Sequence, residues 1–189
     1  LAPTRGRYQR LSGEVSVPGL DTQYYRATYQ ITQYLPITNS WTLGLNAQVG
    51  YGDTYGNDKI FPFFKNFYAG GIGSVRGYES SSLGPKDVNG DNLGGTEQLV
   101  FSAELLTPLP GADRTLRGLL FLDGGNVWGY SAQSGQSNHM DFNELRYSWG
   151  VGVAWISPLG PLKFSIAFPL NDKDGDDTQR FQFQIGTGF

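Results

Sequence analysis

The chain has 189 residues, the length of one domain, with a net charge of −3, 16% charged residues, 14% aromatics, 27 glycines and no cysteine. This balance offers no basic face for nucleic acid, the lack of cysteine excludes disulfides, thiolate catalysis and cysteine-held metals, and no apolar run approaches the ~18 residues of a membrane helix. Abundant glycine and aromatic residues with few charges suit an all-β protein, above all a membrane β-barrel, whose signal is alternating segments of about ten residues. Residue 1 is Leu and no signal peptide is visible, so a piece of a larger protein is expected.

Taken in order, the predicted strands alternate with period two. Leu11, Gly13, Val15 and Val17 alternate with Ser12, Glu14 and Ser16, and 18–22 turns the chain. Tyr25, Ala27, Tyr29 and Ile31 alternate with Arg26, Thr28 and Gln30, and 36–40 turns it back. Trp41, Leu43, Leu45, Ala47, Val49 and Tyr51 follow, interleaved with Thr42, Gly44, Asn46, Gln48 and Gly50. Then comes the longest non-periodic stretch, about 66–95, too glycine-rich for a helix or regular strand and too aromatic for disorder.

Beyond it, Leu99, Phe101, Ala103 and Leu105 alternate with Gln98, Ser102 and Glu104. A strand over 115–128 is less tidy and carries Asp123 in its middle. Tyr147, Trp149, Val151, Val153 and Trp155 alternate with Arg146, Ser148, Gly150, Gly152 and Ala154. Phe164, Ile166 and Phe168 alternate with Lys163, Ser165 and Ala167, and Phe181, Phe183, Ile185 and Phe189 with Gln182, Gln184 and Gly186. The pattern predicts eight antiparallel strands, with short turns near 36–40, 108–114 and 157–161 and longer loops near 66–95, 130–143 and 171–178. That asymmetry belongs to outer-membrane barrels, and with an even strand count both termini fall on the periplasmic side. A soluble barrel alternates too, but rings near strand ends (Trp41, Tyr51, Trp155, Phe189) match aromatic girdles at a bilayer.

The segment Asn66-Phe67-Tyr68-Ala69-Gly70-Gly71, then Ser74-Val75-Arg76-Gly77-Tyr78, then Leu83-Gly84-Pro85-Lys86 resembles the long loop of the BamA family of outer-membrane assembly barrels. Ser157-Pro158-Leu159-Gly160-Pro161-Leu162 and Phe181-Gln182-Phe183-Gln184-Ile185-Gly186 extend the resemblance to nearly the whole chain. The resemblance implies the last eight strands, the C-terminal half, of a sixteen-stranded transmembrane β-barrel, with the first half and the periplasmic POTRA domains outside this sequence. It implies assembly and insertion of nascent outer-membrane β-barrel proteins into the bacterial outer membrane, without enzymatic chemistry or cofactor, through a lateral gate between first and last strands. Lipoprotein partners would dock on the POTRA domains. The alternative is a two-partner-secretion or other transport pore of the same superfamily.

The resemblance further implies that the extracellular loop of 66–95 folds into the lumen and that Arg76 of the Val75-Arg76-Gly77-Tyr78 motif meets wall carboxylates. Parity nominates Glu104 and Asp123, since an acid has no place on a lipid face. The competing reading is a surface arginine that meets only water. In a wet lumen the contact would be worth about 1–3 kcal/mol. The terminal strand (Phe181, Phe183, Ile185, Gly186, Phe189) resembles an assembly signal, suits edge-to-edge addition of a second strand, and carries glycines that permit a kink. The runs 87–92 and 172–177 faintly resemble Ca²⁺ loops but lack the closing Glu and read as turns. His139, the sole histidine, makes no metal site alone. An eight-stranded barrel has no room for a thirty-residue loop, so two copies of the isolated chain are expected to join edges, a homodimer.

Overall fold

A computed structural model describes residues 3–19, 22–56, 60–109, 115–129, 139–157 and 160–186. Eight strands form one antiparallel sheet: β1 (Gly6–Val15), β2 (Tyr24–Pro36), β3 (Thr42–Thr54), β5 (Glu97–Pro108), β6 (Leu116–Trp128), β7 (Arg146–Ser157), β8 (Gly160–Pro169) and β10 (Phe181–Ile185), adjacent in that order. Two-residue strands β4 (Gly77–Tyr78) and β9 (Thr178–Gln179) pair with each other outside the sheet. The sheet is open: β1 and β10 are its two edges.

Period two sorts the side chains as predicted, and the faces are inverted relative to a soluble protein. Leu120, Leu122, Trp149, Val151, Phe164, Ile166, Phe181 and Phe183 are exposed, while Gln98, Asp123, Ser148, Ser165 and Gln182 are buried. An apolar face turned outward over strands of this length is the arrangement that a hydrocarbon solvent selects. The polar face is inner and concave. One cavity of about 260 Å³ touches Thr32 and Tyr34 of β2, Glu104 of β5, and Lys163 and Gln184 of the last hairpin. Laid flat, β2 and β10 would stand roughly 29 Å apart at the usual strand spacing.

Several boundaries differ from the periodic reading. β1 begins at Gly6 and ends at Val15 rather than spanning 11–17, and β2 runs on to Pro36. Gly6 pairs with Tyr34 and Arg7 with Gln33, so backbone ladders continue beyond the apolar band, where alternation lapses. β10 ends at Ile185; Thr187, Gly188 and Phe189 lie outside the described residues, as do Pro158 and Leu159. The long connection starts at residue 55, earlier than 66, and includes a 3₁₀ turn at Phe63–Lys65. The untidy strand β6 has a cause: its inner-facing Phe121 and Val127 are buried at 2% and 1%. Both of its faces are apolar in part because the loop covers the inner one.

Candidate functional site: a loop seated on the inner wall

The connection between β3 and β5 crosses the inner face. Phe67, Ala69, Val75, Tyr78 and Leu83 of the loop pack with Val127 of β6 in a small apolar core. Bridges pair Phe67 with Gly95 and Ala69 with Leu83, folding the segment on itself. Sheet glycines make room: a Cβ at Gly50 would lie 2.5 Å from the Phe67 ring. At its near end the Arg26 guanidinium covers the Phe67 ring at 4.0 Å, and Lys65 pairs with Glu14 of β1.

Val75 and Tyr78 anchor the motif in that core, both 0% exposed. Gly77 between Arg76 and Tyr78 has φ +91°, a region open to glycine, and packs against Ala167 and Pro169 of β8. These constraints aim Arg76 at the wall. Its Nε donates to Asp123 Oδ2 at 2.6 Å and Nη2 to Asp123 Oδ1 at 2.7 Å, a two-pronged pair. Its backbone N–H donates to Oδ2 at 3.1 Å, and Ser102 Oγ donates to Oδ1 at 2.7 Å. Arg76 Nη1 lies 2.6 Å from Glu104 Oε1, which also accepts from Lys163 Nζ at 2.8 Å. The guanidinium stacks 3.5 Å over the Phe121 ring.

The register explains why these groups meet. Ser102 of β5 pairs with Asp123 of β6, which pairs with Ser148 of β7. Glu104 lies two residues along β5, on the same face. The side chains of Arg76 and Asp123 are 2% and 0% exposed. The Arg76–Asp123 pair is therefore buried, while Glu104 and Lys163 border the cavity at 21% and 23% exposure; removing one partner of a buried pair costs about 3–5 kcal/mol. Lys163, Ser102 and Phe121 escaped the sequence reading as partners. Each carried a signal, a lone lysine, a serine and a large ring on the face that parity assigns inward.

The loop also grips the last hairpin. Gly77 and Tyr78 pair with Gln179 and Thr178, and Gln182 Nε2 donates to Tyr78 O at 2.7 Å. Lys86 Nζ reaches Asp177 Oδ2 at 2.6 Å. Of the terminal-strand residues, Phe181, Phe183 and Ile185 point outward at 58–62% exposure. Gly186 has φ +85° just beyond β10.

The acidic loops are used in local structure. Asp87 Oδ1 accepts the amides of Asn89 and Asp91 at 2.8 Å each, and these bonds hold its carboxyl below the usual range. Asp176 accepts from Arg146 and from the Lys173 amide. Glu144 is held below the usual carboxylate range by the hydrogen bond from Lys173 Nζ and by Arg146. His139 Nδ1 stands 3.4 Å from Glu97. Among the described residues, no three His, Cys, Asp or Glu side chains are grouped to hold a metal.

With this geometry in view, the family model of the Omp85 superfamily domain matches residues 1–189. The chain belongs to the Omp85 superfamily. This Omp85 domain is 47% identical, over its whole length, to the outer membrane protein assembly factor BamA of Neisseria meningitidis serogroup B, covering 27% of that protein. It is 28% identical to a SAM50-like protein of Schizosaccharomyces pombe, again over its whole length and 41% of the relative. A crystal structure of BamA from Haemophilus ducreyi lacking POTRA domains 1–3 superposes with a TM-score of 0.85 at 30% identity, covering 96% of this chain and 38% of that one. The chain thus spans about a quarter of the BamA relative and under half of the SAM50-like one. Its lipid-facing strands and its similarity to bacterial BamA make it a bacterial outer-membrane protein.

Proposed function

We propose that this Omp85 domain is the C-terminal half of a sixteen-stranded barrel that assembles and inserts nascent outer-membrane β-barrel proteins. The observation that carries the reading is the 47% identity to an assembly factor over the whole chain, in a sheet whose last described strand, β10, pairs with β8. An unpaired edge offers a row of N–H and C=O groups to an arriving strand, and such addition needs no covalent chemistry. In the closed barrel this edge meets the first strand at a lateral gate, and opening there exposes the template. Gly186, with its left-handed φ, supplies the bend. The Arg76 seat on Asp123 and Glu104 holds the lumen loop in place during the cycle. Lipoprotein partners would act through POTRA domains beyond this sequence.

The test is reconstitution of a full-length factor carrying this sequence in lipid vesicles, with an unfolded outer-membrane barrel as client. Client folding, followed by its heat-modifiable gel shift, is expected to accelerate at least tenfold over bare vesicles and to fall back with Arg76→Ala. An unchanged rate would exclude the insertase reading. The polar cavity beside the loop favours one other reading, a transport pore. The seated loop obstructs such a path, and steady single-channel conductance would decide for the pore.

A further inference from the structure

We infer that the Arg76 loop clamps the root of the terminal strand, with Gln182 as the positioning residue that couples the two. The inference rests on the insertase reading for its consequence but on geometry for its existence. β10 has a five-residue ladder to β8 and, among the described residues, no strand on its other side. Its root, however, is held from three directions. The β4–β9 pair continues into a bond from Glu79 N–H to Asp177 O at 2.8 Å. Asn171 accepts from Tyr147 N–H and donates to Leu145 O, both 2.7 Å, fixing the start of the segment to β7. Gln182, 4% exposed, donates from inside the strand to Tyr78 O, which also accepts from Gly71 N–H at 3.1 Å.

Tyr78 is two residues from Arg76. Displacing β10 at Gln182 therefore pulls on the turn that aims Arg76 at Asp123, and releasing Arg76 removes the acceptor of Gln182. Coupling of this kind is reciprocal. A side chain that merely filled space would not transmit a change from the Arg76 seat to β10.

One measurement on a full-length factor carrying this sequence tests the clamp. In hydrogen exchange, Gln182→Leu should speed the amides of 76–79 at least tenfold, and Arg76→Lys should speed those of 181–183 likewise, with β1 and β2 unchanged in both. Effects confined to the substituted segment, or spread over the whole sheet, overturn the coupling. Failure of the same protein to insert an unfolded barrel client into vesicles refutes the insertase reading, while the exchange result still decides the clamp.

Discussion

Arg76 concentrates more of this molecule's electrostatics than any other described side chain: a fork to Asp123, a contact to Glu104, a backbone bond and a ring beneath it. Arg76→Ala should destabilise the chain by about 3–5 kcal/mol, because it leaves Asp123 buried without its counter-charge. Urea unfolding in lipid vesicles measures this. Asp123→Ala should cost a similar amount, and the double variant much less than the sum, since both changes delete one interaction. Arg76→Lys should recover only part, because an ammonium cannot fork. A second prediction concerns pH. Glu144's depressed value in the folded state means that its bonds to Lys173 and Arg146 stabilise the loops above the unfolded glutamate range, near ~4.3, and are lost as pH falls through the folded value. Lys173→Met should raise the Glu144 titration seen by carboxyl NMR; an unmoved midpoint would contradict the assignment. The carboxylates were legible from strand parity. Lys163 and Ser102 were not, because parity assigns a face without saying which residues on it meet.

At the scale of elements, the decisive unit is the glycine-rich loop. Gly77→Ala would strain a φ of +91° and press a Cβ to 3.3 Å from Ala167 and Pro169. The expected loss exceeds ~1 kcal/mol, and the loop should become open to added protease while the sheet persists. The strands make a complementary prediction. Val151→Arg places a charge on the outward apolar face and should cost about 2–4 kcal/mol near mid-bilayer. Asn46→Arg, on the exposed inner side beside the cavity, should cost far less. Equal costs in vesicle unfolding would refute the assignment of faces. Alternation exposed seven strands clearly and β6 poorly. In β6 the loop packs its apolar core on Val127 and lays Arg76 on Phe121, while Leu119 and Phe121 cluster with Ala154 and Ala167 of β7 and β8, so the inner residues break the period for reasons located elsewhere in the chain.

For the molecule as a whole, the open sheet sets the outcome. Both β1 and β10 present unpaired edges, and the loop occupies the concavity between them. Closing eight strands on themselves would expel it. The chain refolded in detergent is therefore expected to have the mass of two copies by light scattering with detergent subtracted, each edge satisfied by the other copy. A mass of one copy would mean a small closed barrel and an unseated loop, and Arg76→Ala would then leave stability unchanged.

Period two and residue type, read from the sequence by themselves, determined that this is an all-β membrane chain, which residues share a face, and that the Arg76 motif stands apart from the strands. These are local properties, because a pleated backbone in hydrocarbon allows only one sorting of side chains. Only the tertiary structure decided that the Arg76–Asp123 pair is buried, that Lys163 shares Glu104 with it, and that Gln182 ties the loop to the last strand. Those facts depend on which strands the register places side by side and on how far the sheet curls, and neither is encoded within any short stretch of residues.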